Sequence, residues 1–385
     1  MAVLLLMLGA IGHMVLWVAL INRSHAIGIP RRWINTLTLL FLAAFVFLPL
    51  AVAATLYLHA NGDMESSLLA YFAWSYVTLC AGICVLSAVQ RLYLANHAER
   101  AAPPTNNHTE RIHLRHQSSA LAAPGLPAFL ARLPGNQVLS IHIQEKQIKI
   151  PRLALEHDGL RVTHLTDLHM SGRITQPFFE HVVEAVNATN PDLIAITGDI
   201  VEGDRFLGWL PPTIGNLHAK YGIYYVLGNH DRRATESRLK AVLAEQRLIH
   251  IGHTWQQLSI NGAPLIIAGN ELPWYKPAAD LSNCPLNEST NRPARILLAH
   301  SPDQFAWAQR NDIDLMLAGH LHGGQWRIPG LGAITSPSAH GVRYVAGLFR
   351  SGNTAMHVSR GVGALMPVRI NCPPEIATLV LRAAT

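Results

Sequence analysis

Charge is what this sequence has least of. Only 14% of its 385 residues are Asp, Glu, Lys or Arg, against roughly 25% in an ordinary soluble protein, so part of the chain has no water to face. Cysteine is equally scarce: Cys80 and Cys84 fall inside an apolar run, and Cys284 and Cys372 stand far apart. No Cys-x-x-Cys or zinc-type spacing occurs, which argues against a thiolate metal site or a disulfide framework and leaves reduced thiols in a cytoplasmic setting as the default. Runs of base are absent as well. The net charge is +6, but the bases are scattered, so no nucleic-acid partner is expected. Arg23, Arg31, Arg32, Arg91, Arg100, Arg111 and Arg115 instead flank apolar segments, where a membrane surface accounts for them.

Three long runs carry no charge at all: Ala2 to Ile21, Ile34 to Leu58 and Ser67 to Val89. Each reaches the ~20 residues that a helix needs to cross the hydrocarbon core, and in lipid a backbone that must satisfy its own hydrogen bonds adopts a helix. Pro49 predicts a kink in the second run, and Trp17 and Trp33 lie near the ends where amphipathic rings settle. A cleaved signal peptide fits poorly, because the first run lacks a basic lead-in and two further spans follow. The first connection carries Arg23, Arg31 and Arg32, the second Asp63 and Glu65 without a base, and Arg91 and Arg100 come after the third. The positive-inside bias then predicts a multi-pass protein of the inner (cell) membrane, with everything after Val89 in the cytoplasm. His13 reads as a packed polar residue rather than a proton relay.

From residue 90 to residue 136 the periodicity disappears. Pro103-Pro104, Pro124-Gly125, Pro127 and Pro134-Gly135 punctuate it, which predicts a linker with one short helix around Ala128 to Leu133 and solvated histidines at 108, 113 and 116. Residues 137–385 form the third segment. Leu139 to Ile150 alternates as a strand, and Leu160 to Leu165 is a shorter β-type stretch. Gln176 to Asn190 reads as an amphipathic helix and Leu193 to Thr197 as a buried strand. Tyr224–Leu227, Leu248–Ile251, Leu265–Ala268, Ile296–Ala299 and Leu315–Ala318 are further short apolar runs. The alternation predicts an α/β domain with packed sheets.

Five polar clusters each follow one of these strands: Asp167-Leu168-His169, Gly198-Asp199, Gly228-Asn229-His230-Asp231, His300, and Gly319-His320-Leu321-His322-Gly323-Gly324. Polar side chains just past the carboxyl ends of buried strands are how α/β sheets build sites. Asp, His and Asn without thiolate suit manganese, iron or zinc. Residues two apart in an extended segment share a face, so Asp167 with His169, and His320 with His322, can address neighbouring ions. Any one of these residues alone would pass for a hydrogen-bonded core residue; five in register with five strands would not.

The clusters resemble the signature blocks of the calcineurin-like metallophosphoesterase superfamily, here DLH at Asp167–His169, GDIVE at Gly198–Glu202, GNHD at Gly228–Asp231, AHSPD at Ala299–Asp303 and GHLHGGQ at Gly319–Gln325. The segment Val358–Gly363 with Asn371–Glu375 is similar to the close of a bacterial, often membrane-anchored subgroup whose best-described members are phosphodiesterases. The resemblance implies a β-sandwich flanked by helices and two divalent cations (Mn2+, Fe2+ or Zn2+). It implies Asp167, His169 and His322 on the first cation, Asn229, His300 and His320 on the second, and Asp199 bridging. A bridging hydroxide would attack a phosphodiester or pyrophosphate in line, with His230 as general acid. Glu202 stands where the family usually places an aspartate that orients this histidine, one methylene longer.

Arg173 reads first as a surface arginine, with a phosphate contact as the alternative; Arg360 and Arg369 either touch substrate or hold a loop; Trp274 and Tyr275 either line a pocket or pack; His340 is a further candidate near the site. Anchoring favours a lipid-linked substrate, and related enzymes include pyrophosphatases of UDP-diacylglucosamine-type lipid nucleotides. The reading from another class is a catalytically inactive, membrane-tethered scaffold, against which the complete donor set argues.

Overall fold

The computed structural model describes residues 2–62, 67–96, 107–285 and 292–383. The expected roles of Asp63, Glu65, Arg100 and Pro103-Pro104 lie outside the described residues. The chain divides into two compact units, residues 1–98 with the segment Pro337–Arg343, and the remainder.

The first unit holds helices α1 (Ala2–His25), α2 (Arg31–Ala60) and α3 (Ser67–Asn96). Their most apolar 18-residue stretches have mean hydropathies of 2.4, 2.6 and 1.8, and most of their large apolar side chains are exposed, as suits helices whose solvent is lipid. Helix α2 continues through Pro49 to Ala60. Without hydrophobic drive between helices in a membrane, small residues let backbones approach. A Cβ at Gly12 would fall 1.7 Å from the Cys80 carbonyl oxygen. His13 ties all three helices: its Nδ1 lies 2.6 Å from the Tyr76 hydroxyl and its Nε2 2.9 Å from the Phe45 carbonyl.

The second unit begins with strand β1 (Asn107–His113), helices α4 (Ser118–Leu121) and α5 (Leu126–Arg132), then β2 (Ser140–Ile150) and β3 (Arg161–Leu165). Next come α6 (Gln176–Ala188), β4 (Leu193–Thr197), β5 (Ile223–Val226), α7 (Glu236–Glu245) and β6 (Leu248–His250). Strands β7 (Trp255–Ile260), β8 (Ala263–Asn270) and β9 (Ala294–Ala299) precede α8 (Phe305–Arg310) and β10 (Leu315–Ala318). The last strands are β11 (Arg327–Ile328), β12 (Gly332–Ala333), β13 (Gly347–Ser351), β14 (Thr354–Val358) and β15 (Glu375–Ala383).

One sheet runs β1-β2-β15-β3-β4-β5-β6 and the other β13-β14-β10-β9-β8-β7. Both faces of the central strands are covered, so these strands are apolar throughout. Ile194 and Ile196 of β4 face the core beneath α6 and α7, while Leu193 and Ala195 face the layer between the sheets. In β9, Ile296 and Leu298 fill that inner layer, whereas Leu297 and Ala299 meet Phe305 and Ala308 from α8. The result is helix, sheet, sheet, helix, the sandwich the resemblance implied. Strands β3, β4 and β5 are mutually parallel, as are β8, β9, β10 and β14, so each sheet gathers the carboxyl ends of several strands at one edge.

Residues 107–136 correct the expectation of a linker. Strand β1 pairs antiparallel along β2 from Asn107↔Lys146 to His113↔Ser140. Leu114, Leu121, Ala122 and Ala131 are buried in the core under the first sheet, and the short helix spans Leu126–Arg132 rather than Ala128–Leu133. A polar edge strand such as NHTERIH shows no hydrophobic period, so its sequence carries no strand signal. Strand β15, for which the sequence predicts no element, enters parallel to β2 and antiparallel to β3, in the middle of the sheet.

Candidate metal centre

The five clusters lie just beyond strand ends: Asp167 two residues after β3, Asp199 two after β4, Asn229 three after β5, His300 one after β9 and His320 two after β10. Three of them turn the backbone sharply. Asp167, His169, Asp199, His320 and His322 all have positive φ, between 46° and 69°, a left-handed conformation uncommon outside glycine and concentrated at functional sites. Tight crossings of backbone hold it. The Asp167 N–H donates to the Gly198 carbonyl at 3.0 Å, and the His169 N–H to the Asp199 carbonyl at 2.9 Å. Glycine is required where these loops touch: a Cβ at Gly228 would lie 2.2 Å from Asp199 Oδ1, and one at Gly319 2.0 Å from Thr166 Oγ1.

The donors converge. Among the described residues, Asp167, His169 and His322 bring one ligand atom each within 4.8 Å of one another, and so do Asp199, His300 and His320. His169 Nε2 and His322 Nε2 approach to 2.9 Å. Asp199 Oδ2 lies between the two groups, 3.5 Å from His169 Nε2 and 3.3 Å from His300 Nε2. Asn229 Oδ1 is 3.2 Å from His300 Nε2. A third group, His169, Glu202 and His230, has a different character. His169 Nδ1 donates to Glu202 Oε1 at 2.6 Å, and that oxygen lies 2.8 Å from His230 Nδ1, while the Arg233 guanidinium meets the other oxygen. A carboxylate on the far nitrogen fixes a histidine's tautomer and ring orientation, and Glu202 holds His169 in this way while standing within ion-pair distance of His230.

These positions suit cations on physical grounds. His300 Nδ1 donates to the Thr197 carbonyl at 2.6 Å, so a neutral His300 aims its Nε2 lone pair at the Asp199 and Asn229 oxygens. Three acceptors facing one another need a positive charge among them. In the protein alone a proton takes that place: burial pushes the His300 pKa down, but the Asp199 carboxylate outweighs it and lifts the value to about 9. Burial likewise opposes ionisation of Asp199 and Asp167, yet the surrounding imidazoles, His300 for the first and His322 for the second, hold both well below the usual carboxylate range. Burial drives His320 and His322 down to about 3, leaving them neutral donors.

Around these groups stand Asp231, which has no role assigned from the sequence, and several residues whose role the sequence leaves open. Asp231 is fully buried, and its carboxylate accepts the N–H groups of Asp199 (2.8 Å), Ile200 (2.8 Å), Val201 (3.1 Å) and Gly228 (2.8 Å); it stitches the loops carrying Asp199 and Asn229 together. Trp274 packs over the second donor group, its ring 4.8 Å from that of His320 and 5.4 Å from that of His300. Tyr275 packs against the helix-side core. Arg369 is a loop holder: its buried guanidinium donates to the carbonyls of Arg360, Gly361, Gly363 and Cys372 and lies 3.3 Å from His322 Nδ1. Arg360 pairs with Glu375 at 3.0 Å. Arg173 is exposed and donates to the Leu365 carbonyl, and His340 is exposed within the segment grouped with the helices.

Comparison with known proteins agrees with this geometry. The calcineurin-like phosphoesterase family matches residues 160–324, the stretch carrying all five clusters. Phosphodiesterase YaeI of Escherichia coli K12 is 31% identical over 238 residues, 60% of this chain and 86% of that protein. The chain belongs to the calcineurin-like metallophosphoesterase family. Metallophosphoesterase YkuE of Bacillus subtilis is 29% identical over 63% of this chain and 86% of its own length. A bovine transmembrane protein with metallophosphoesterase domain is 27% identical over 86% of this chain and 77% of that one, so the likeness extends beyond the hydrolase unit. As a metallophosphoesterase with three apolar helices of membrane-crossing length, the chain is a phosphoric ester hydrolase of membrane type.

Proposed function

We propose that this metallophosphoesterase cleaves phosphodiester or pyrophosphate bonds with two divalent cations, at the cytoplasmic face of the membrane its N-terminal helices span. The observation that carries the reading is the pair of donor groups sharing Asp199 between them. Asp167, His169 and His322 would hold one cation, Asn229, His300 and His320 the other, with Asp199 facing both. When bound, the cations supply Lewis-acid charge that acidifies an attacking water and neutralises phosphoryl oxygens.

The chain's own groups do the rest. His230 has its N–H fixed on Asp199 Oδ1 at 2.7 Å and its Nδ1 beside Glu202 at 2.8 Å. A proton on Nδ1 is thereby stabilised, which leaves Nε2 to hold the proton delivered to the departing oxygen. Glu202 is the positioning residue. Because it also orients His169, one carboxylate couples the acid to the metal donors. Asp231 and Arg369 keep the loops in place so that no donor must move to meet the substrate.

Full-length protein loaded with manganese would be offered mononucleotides, cyclic nucleotides, generic diesters and nucleotide-linked lipids. Turnover of diesters or pyrophosphates, abolished by Asp199→Ala, is expected. Metal-loaded protein inert on every phosphorus ester would leave the scaffold reading in its place. The three arginines of the first connection support the cytoplasmic assignment, and protection of the hydrolase unit from protease added outside intact cells tests it.

A further inference from the structure

Away from the metal donors, the hydrolase unit carries an apolar surface that catalysis does not explain. Leu126 and Phe129 of α5, and Trp326, Ile328, Leu331 and Met366 around the β11–β12 hairpin, are all exposed, Leu331 and Trp326 at 66% and 58%. Scattered singly, such side chains would need no explanation. These are laced together. Asn136 donates from one amide to the Leu130 carbonyl at the end of α5 (2.7 Å) and to the Pro367 carbonyl (2.8 Å). Gln325 donates to the carbonyls of Met366 and Val368, and the Trp326 indole donates to Val368 at 3.2 Å. Ile370 bridges both Asn136 and Trp326. The surface adjoins the metal donors, since Gln325 follows His322 by three residues.

Its charge is as one-sided as its polarity. The chain has 24 acidic residues, yet none lies between Arg111 and Gln144 or between Leu315 and Pro374, the two stretches that build this surface. They contribute Arg115, Arg132 and Arg327, and Arg173 donates to the Leu365 carbonyl next to Met366. Aromatic and leucine side chains ringed by arginine without acid are the make-up of segments that lie in the headgroup boundary of anionic bilayers. A bilayer is within reach. Only residues 97–106 join Asn96 of α3 to Asn107 of β1, a segment that spans at most about 40 Å fully extended.

We propose that this surface docks on the anionic bilayer: Phe129, Trp326 and Leu331 enter the interface, and the arginines meet lipid phosphates. The metal donors are then held at the lipid surface and receive phosphoesters carried by lipids. Only this last consequence rests on the phosphoesterase reading; the docking does not.

The test uses full-length protein in nanodiscs of phosphatidylcholine and phosphatidylglycerol, with and without bromine on the acyl chains. Subtracting the emission of Trp326→Phe from that of the wild type isolates Trp326 among the eight tryptophans. Docking predicts that brominated lipid quenches this difference emission by half or more, and that Phe129→Ser/Leu331→Ser abolishes the quenching. That variant should also lower turnover of a nucleotide-linked lipid about tenfold while leaving bis(p-nitrophenyl) phosphate turnover unchanged. Difference emission that is red-shifted and unquenched means the surface faces water; blue-shifted but unquenched emission means a protein, such as a second copy of the chain, covers it. Either overturns the proposal. Quenching without hydrolysis of any ester would sink the phosphoesterase reading and leave the docking standing.

Discussion

Replacing Glu202 by Gln perturbs two things through one side chain, and the two separate experimentally. The carboxylate accepts from His169 Nδ1 at 2.6 Å and the same oxygen sits 2.8 Å from His230 Nδ1; an amide carries no charge for either ring and must turn its donor either on both of them or on the Arg233 guanidinium at the other oxygen. On the His169 side, loss of the outer partner of a metal-binding histidine costs about 10–100-fold in metal affinity. On the His230 side, the variant forfeits up to the whole contribution of general acid catalysis, about 10²–10⁴-fold. Measuring kcat against manganese concentration splits the effects: the half-saturating metal concentration reports His169, and kcat at saturation reports His230. The leaving group splits them again. A p-nitrophenolate departs without a proton, so at saturating metal E202Q and H230A should lose less than about tenfold on p-nitrophenyl diesters. On alkyl or nucleoside leaving groups the loss should be 10²-fold or more. Because both substitutions act on one proton, E202Q/H230A at saturating metal should be no slower than H230A alone. Multiplying losses in the double variant, or equal losses on both kinds of leaving group, would refute the assignment.

Three further outcomes follow from the same geometry. Asp231→Asn turns two of four buried acceptor contacts into donor-against-donor contacts at about 1–3 kcal/mol each. Relief of repulsion from Asp199 offsets part of this, so thermal unfolding followed by fluorescence should show Tm lowered by at least about 4 °C; an unchanged Tm would contradict the stitching role. Metal binding must displace the proton that His300 holds up to about pH 9, so calorimetric affinity should rise about tenfold per pH unit from 7 toward 9 and level off above, and pH-independent affinity would contradict it. Gly12→Val places a side chain where the Cys80 carbonyl lies 1.7 Å from the Cβ position, so α1 should part from α3 and the yield of folded protein in detergent should fall, whereas Gly82→Ala, with open space around it, should leave yield unchanged.

The loops that carry the donors were legible in the sequence because the information is local. A buried strand such as Leu193–Thr197 or Leu315–Ala318 is an apolar run, and the polar residue that ends it stands out. The three helices were legible for the same reason. What is not legible depends on pairing between distant residues. Strand β15 lies between β2 and β3, and nothing in residues 375–383 says so. Strand β1 is polar and gains its place only from β2. The work of Asp231 was equally hidden, and for Arg369 the sequence left loop-holding and substrate contact open, because their partners are backbone groups. A carboxylate gathering four N–H groups, or a guanidinium gathering four carbonyls, leaves no trace in side-chain pattern. Glu202 was legible as a partner of His230 but not of His169, since that contact depends on how two loops cross.

The most direct measurement of the central claim is the number and coupling of manganese ions bound by the full-length protein, by equilibrium dialysis with electron paramagnetic resonance. Two tightly bound ions per chain with a spin-coupled signal, reduced to one or none by Asp199→Ala, is the predicted result. A single uncoupled ion, or two that persist unchanged without the Asp199 carboxylate, would contradict it.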